Sequence, residues 1–377
     1  MHVVVAPDKF KGSLTAPEVC QVVTRGIKRF DSSAQVTSIP LADGGEGTLD
    51  LLISLLALET VQLTVSNPLF HPVRAYYGKK GSTAYVEMAK ASGLVLLAEE
   101  ERDALRTTSY GTGELIRHAI AQGATEVYVL IGGSASSDAG IGMAQALGYQ
   151  FLDADGHAVP PAGGSLIKVE TIVSDGRLPS LERVSVRVIS DVDNPLYGPR
   201  GAAQVYGPQK GASPEAVALL ERGLVNIADR IRAFTGRDVR NISGAGAAGG
   251  FGAGAVAFLS AELLPGIDTI MNLCGVRPAI QQADLVISGE GKVDNQTLHG
   301  KVVKGVGDVC REYDVPLGVV CGTLEADEAA LRKLGVWRAY AVREAGMLLA
   351  DAMARTQERV ETLACRLARE AEEKLKA

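Results

Sequence analysis

Short apolar runs rich in β-branched residues recur along the chain, at residues 2–6, 61–65, 83–87, 126–131, 184–189, 285–287 and 316–320. Their length and composition predict strands. The stretches 16–30, 113–122, 139–147 and 216–234 lie between them and predict helices. Strands alternating with helices imply an α/β fold with parallel sheets and crossover helices. In such sheets ligands bind beyond the carboxyl ends of the strands, so the loops leaving those ends are where chemistry is sought. Residues 347–377 predict one or two amphipathic helices packed on a core, with Leu348, Leu349, Met353, Val360, Leu363, Leu367 and Leu375 on one face. Asn67-Pro68-Leu69-Phe70-His71-Pro72 is the best candidate for a break. Its two prolines forbid regular helix and sit poorly in a central strand.

Composition narrows the classes. The chain has 377 residues, enough for two domains, and its 46% hydrophobic content supplies sizeable cores. A net charge of −6 and 5% aromatic residues give nucleic-acid binding neither a basic patch nor a stacking platform. Glycine, 43 of 377 residues, is clustered, which points to backbone that bends tightly or approaches a ligand closely. The five cysteines show no C-x-x-C spacing, which argues against a disulfide framework or structural zinc. With no signal-peptide pattern at the start and no apolar run long enough to span a bilayer, a soluble cytoplasmic protein is expected, monomeric or homodimeric.

Six loops carry candidate chemistry. Asp8-Lys9-Phe10-Lys11-Gly12-Ser13 follows the first predicted strand and precedes a helix starting near Thr15, so lysines, a hydroxyl and a helix N-terminus make an anion site. Asp43-Gly44-Gly45-Glu46-Gly47 sets two carboxylates among glycines, suited to Mg²⁺. Gly132-Gly133-Ser134-Ala135-Ser136-Ser137-Asp138 follows a strand directly, in the layout of a phosphate cradle, though no G-x-x-x-x-G-K-[ST] occurs. Asp191, with Asn194 nearby, stands where a strand ends and is placed as a base or metal ligand. Gly289-Glu290-Gly291 and Asp294 repeat the pairing of glycine with carboxylate. Gly244, Gly246 and Gly249 match G-x-G-x-x-G, but the polar residues before them make a helix entry near a ligand, or glycine-mediated close packing, a better reading than dinucleotide binding. Together the loops hold what phosphoryl transfer requires: NH groups and lysines for phosphates, carboxylates for Mg²⁺ and a base for an alcohol.

These residues are similar to the bacterial type 1 glycerate kinases. The carrying segments are APDKFKGSLTAPEV, PLADGGEGT, VEMAKASGL, TTSYGTGELI, IGGSASSDAG, DVDNPLYGPRGAA, YGPQKGA, ISGEGKVDNQTLHGKV and CGTL, which cover nearly the whole chain in order. The family often reads APDSFKGS; here Lys9 replaces the serine and adds positive charge. The resemblance implies ATP- and Mg²⁺-dependent phosphorylation of D-glycerate. It points to the branch that makes 2-phosphoglycerate, the 3-isomer being the alternative. It also implies two α/β domains facing a cleft, a Rossmann-like one from residues 1–67 and 285–377 and an inserted one from 68–284.

Chemistry assigns the expected roles. Asp191 is the base, and Lys11 helps hold an anionic group, either the glycerate carboxylate or the γ-phosphate. Asp8, Lys9, Ser13, Gly132, Gly133, Ser134, Ser136, Asn194, Gly289 and Gly291 bind substrate or phosphate. Asp43, Glu46, Glu290 and Asp294 hold Mg²⁺ or its waters. An NAD-dependent dehydrogenase and a non-catalytic sugar-acid sensor are the rival readings. So many carboxylates around phosphate-type loops favour the kinase.

Overall fold

The computed structural model describes residues 1–294, 297–298, 301–344 and 346–376. The chain divides into two units, one formed by 1–43 with 266–377 and the other by 44–265.

The first unit is built on a five-stranded sheet. Its strands lie in the order Val336–Ala341, Leu317–Cys321, Leu285–Ser288, His2–Val5, Gln35–Ser38, all parallel. Leu285–Ser288 and Leu317–Cys321 are buried along their whole length, as apolar runs covered on both faces must be. Counted along the chain within this unit, the order is the flavodoxin-type 2-1-3-4-5, whose switch point lies between His2–Val5 and Leu285–Ser288. The helix Ala16–Phe30 opens with a capping box. Thr15 Oγ1 accepts from the Glu18 amide at 3.4 Å, and the Glu18 carboxylate accepts from the Thr15 amide at 2.7 Å. Val19, Val22, Val23 and Ile27 pack in one core with Val360, Ala364, Leu367 and Ala368 of the C-terminal helix Thr356–Lys376. Only part of the expected C-terminal face is used. Val360 and Leu367 are buried, but Leu348, Leu349, Met353 and Leu375 are exposed. The buried stripe is completed by Ala364, Ala368 and Ala371, whose small side chains carry no strong apolar signal in the sequence.

The second unit holds a six-stranded sheet in sequential order: Glu59–Ser66, Pro72–Lys80, Thr83–Glu87, Glu126–Leu130, Ser185–Ser190, Glu262–Pro265. The first three form an antiparallel meander, and from Thr83–Glu87 onward the pairs are parallel. The proline-bounded segment at 67–72 is the hairpin turn of this meander. Asn67 Oδ1 accepts from the amides of Leu69 and His71 at 2.8 and 2.9 Å, an Asx-type turn. It therefore does not separate units. Residues 44–67 belong with the second unit, because Glu59–Ser66 pairs along its length with Pro72–Lys80. At the other end, residues 266–284 fold with the first unit, where Ile267 and Met271 pack against Gly305. The expected limits at 67 and 285 thus move to 43 and 266. The G-x-G-x-x-G match is a packing element. The helix Ala247–Leu259 starts with three successive left-handed residues, Ala248, Gly249 and Gly250, and a side chain at Gly249 would run into the Ser136 carbonyl.

Candidate functional site

At the switch point of the first sheet two loops leave side by side. The Asp8 amide donates to the Gly289 carbonyl at 2.8 Å, tying the loop after His2–Val5 to the loop after Leu285–Ser288. Phe10 and Leu14 exchange backbone hydrogen bonds, which closes a tight loop over Lys11, Gly12 and Ser13. Ser13 Oγ donates to the Phe10 carbonyl at 3.1 Å, so its proton is spent on the loop. Lys9 and Lys11 are exposed. Gly289 and Gly291 serve close packing: a side chain at 289 would meet the Val320 carbonyl, and one at 291 would crowd the Lys11 amide. Glu290, 4% exposed, accepts from Thr297 Oγ1 at 2.6 Å, and the Asp294 amide donates to that same hydroxyl at 3.2 Å. Asp43 comes from a third loop, held by the Leu41 amide on the Pro7 carbonyl at 2.8 Å. In the segment ISGEGKVDNQTLHGKV, Asn295, Gln296, His299 and Gly300 lie outside the described residues.

The carboxylates of this cluster crowd one another. Burial first, and then the charge of Asp43, lifts the Asp8 carboxyl to about 7; the Lys9 amide and ammonium oppose this and Glu290 adds to it. Burial also lifts Glu290, against Thr297 and Lys301, with Asp294 and Asp43 adding to the rise. An oxygen-rich set that resists full ionisation suits a hard divalent cation, whose charge reverses that logic. The donor chemistry therefore fits Mg²⁺. No closed cage is preformed: among the described residues, the one group of three ligand atoms within 4.8 Å of one another is Asp153, Asp155 and His157, on a largely exposed turn. Mg²⁺ usually keeps several waters and needs no such cage. Of the four expected ligands, Asp43, Glu290 and Asp294 belong to this unit. Glu46 belongs to the second unit, where it lies beside Gly133.

In the second unit, the loop after Glu126–Leu130 runs into a buried polar cluster. Gly132 lets this loop lie directly on the 44–47 loop, since a Cβ there would stand 2.6 Å from Gly45 Cα. The carbonyl oxygens of Gly133, Ala135 and Ser136 are taken by the Leu94 amide, Thr107 Oγ1 and Lys210 Nζ, at 2.9, 2.9 and 2.6 Å. Lys210 also donates to Ser134 Oγ at 2.8 Å. Only 2% of Lys210 is exposed; burial pulls its ammonium down to about 7, and Asp138 opposes the drop. Asp138 is fully buried. It accepts from the amides of Ser109, Gly140 and Gly142 and from the Ser109 hydroxyl, bonds that oppose the upward push of burial on its carboxyl. The hydroxyls of Ser136 and Ser137 are buried without a partner, each costing about 1–3 kcal/mol. Left-handed backbone at Ala139 and Ala248 adds about 1–3 kcal/mol of strain per residue beside them.

The remaining expected residues have plain placements. Asp191 is exposed just past the carboxyl end of Ser185–Ser190. Asn194 stitches its own loop: its Oδ1 accepts from the Tyr206 hydroxyl at 2.6 Å and its Nδ2 donates to the Arg200 carbonyl at 2.7 Å. Sequence reasoning gave no role to Lys210, Asp138, Ser109 or Glu87. Glu87, fully buried at a strand's end, accepts from the amides of Gly47 and Leu49 at 3.1 and 2.8 Å and so anchors the 44–47 loop. A lysine between prolyl and glycyl turns, in Gly207-Pro208-Gln209-Lys210-Gly211, was the available signal for Lys210.

The glycerate kinase family model matches residues 3–372. The chain belongs to the glycerate kinase family. That family consists of phosphotransferases with an alcohol group as acceptor. Among its relatives, the glycerate kinase of Bacillus subtilis (strain 168) is 40% identical, covering 97% of this chain and 96% of that protein. The glycerate 2-kinase of Escherichia coli (strain K12) is 42% identical, covering 91% of this chain and 90% of that protein. A crystal structure of a Salmonella typhimurium LT2 protein assigned as glycerate kinase 2 covers 100% of both chains, at 38% identity and a TM-score of 0.88. No helix among the described residues is long and apolar enough to cross a membrane.

Proposed function

We propose that this kinase transfers the γ-phosphoryl group of ATP to the 2-hydroxyl of D-glycerate, giving 2-phosphoglycerate and ADP. The observation that carries the reading is the 42% identity, over 91% of the chain, to a protein named glycerate 2-kinase. The hydroxyl oxygen of C2 forms the new P–O bond while the bond from the γ-phosphorus to the β–γ bridging oxygen breaks. The electron pair leaves with ADP, and the hydroxyl proton passes to a base. Asp191, exposed at the end of Ser185–Ser190, is that base. Lys11, exposed at the tip of its closed loop, balances developing negative charge. Ser134 and Ser136 take phosphate oxygens. Mg²⁺, held by Asp43, Glu290 and Asp294, would neutralise phosphate charge when bound.

The test is ADP release with D-glycerate, followed with and without a chelator. Enolase and pyruvate kinase are then added without phosphoglycerate mutase. Pyruvate formed from the product at the rate of ADP release supports the proposal. Pyruvate that appears only after the mutase is added makes the enzyme a 3-kinase and overturns the regiochemistry. ADP release indifferent to D-glycerate overturns the substrate.

A further inference from the structure

We propose that Lys210 is a positioning residue for nucleotide phosphate: it fixes Ser134 Oγ as an acceptor and leaves the Ser134 hydroxyl proton to a phosphoryl oxygen. The inference rests on the kinase reading and names how this loop takes its anion.

The local sequence sends the lysine inward. Lys210 ends the turn Pro208–Lys210, and the next residue, Gly211, is left-handed and lies directly on the Arg102 carbonyl. An ammonium group has three donors and no lone pair. Lys210 gives one proton to Ser134 Oγ and another to the Ser136 carbonyl. While Lys210 is charged, Ser134 cannot donate back to it, and the Ser134 proton is directed elsewhere. The residue keeps 6% exposure.

The rest of the loop is arranged to the same end. Carbonyl oxygens would repel a phosphate, and those of Gly133, Ala135 and Ser136 are already occupied by Leu94, Thr107 and Lys210. The Asp138 carboxylate, the negative group nearest Lys210 in effect, is occupied by Ser109, Gly140 and Gly142. The hydroxyls of Ser136 and Ser137 are buried and have no partner, so further donors remain unspent beside Ser134.

The test compares the parent protein with Lys210→Met, Ser134→Ala and the double variant. ADP binding in Mg²⁺ is measured by calorimetry, and turnover is measured with ATP and D-glycerate. Each single change is expected to weaken ADP binding and raise KM for ATP by about tenfold, because each removes the same charge-assisted hydrogen bond to phosphate. The KM for D-glycerate should stay within about twofold. The double variant should be no worse than the weaker single one, because both changes remove one device. ADP affinity within about twofold of the parent in Ser134→Ala, which leaves the buried lysine in place, overturns the proposal. So do additive losses in the double variant, which would separate Lys210 from Ser134. A parent protein whose ADP binding follows the expected pattern, but which turns over no D-glycerate, overturns the substrate reading and supports this one.

Discussion

Both units gather polar groups at the carboxyl ends of their parallel strands, yet they load them with opposite needs. In the first unit burial and the neighbouring carboxylates, Asp43 among them, raise the proton affinity of Asp8 and Glu290, and Lys9 and Lys11 stand exposed beside them. In the second unit the carboxylates of Glu87 and Asp138 are already saturated by backbone donors, while a buried lysine and two unpartnered hydroxyls remain. The first cluster is short of positive charge and the second is short of acceptors. Each shortage is costly in the protein by itself; on the proposed reading a cation would relieve the first and a phosphate the second. The difference shows that strand-end position alone does not define a role; what counts is which hydrogen-bonding capacity is left over.

The comparison is broken or sharpened by mutation. The largest effect is expected from Asp191→Asn, which should lower kcat by about 10²–10⁴ and leave the melting profile unchanged. A near-normal kcat would remove this exposed carboxylate from the chemistry. Next is Glu87→Ala. If the second unit's carboxylates are structural anchors, losing the acceptor of two buried amides should cost about 2–4 kcal/mol in chemical denaturation. A loss of activity with unchanged stability would instead place Glu87 among the reacting groups.

Lys11→Ala should raise one KM or lower kcat by at least about tenfold, equivalent to ~1.4 kcal/mol. All constants within twofold would make that loop structural only. Asp8→Asn should work against ligand and for stability. With one carboxylate fewer in the crowd, the free protein should melt a few degrees higher, about 2–4 °C for a chain of this size. The Mg²⁺ concentration for half-maximal activity should rise. A lower melting temperature would mean that Asp8 is not held at a cost.

The smallest effect concerns pH. Lys210 titrates at about 7 in the fold and at an ordinary 10.5 when unfolded. Between these values the unfolded chain binds the extra proton, so stability rises with pH across that window and is lost as pH falls toward 7. Measured as the melting-temperature difference between parent and Lys210→Met, the parent should gain a few degrees, about 2–4 °C, between pH 6.5 and 9. A flat difference would mean that Lys210 stays charged throughout.

Much of this architecture was already written in local sequence. The seven apolar runs are all strands, and the Thr15–Glu18 capping box with Pro17 in the first turn marks a helix start that the structure keeps. Three of the missed strands share a physical character. Gln35–Ser38, Glu262–Pro265 and Val336–Ala341 are sheet edges, and an edge strand needs no continuous apolar run because much of it faces water. Pro72–Lys80 was hidden by the two prolines at its turn. Read locally, they mark only a break, and the pairing that makes them a hairpin lies on a neighbouring strand.

The sequence by itself determined the alternation of strand and helix, the family, and the loops in which chemistry is sought. All of these depend on residue type and on spacings of a few positions. Only the tertiary structure decided which groups in those loops remain available. Ser13 and Asn194 looked like ligand contacts and are spent on their own turns. Lys210 drew no role from the sequence and is buried against Ser134, a residue 76 positions away. Whether a donor or acceptor is free depends on partners brought from distant strands, and no local pattern encodes that. Burial, which lifts Asp8 and lowers Lys210 toward the same pH, is likewise a property of the packed chain.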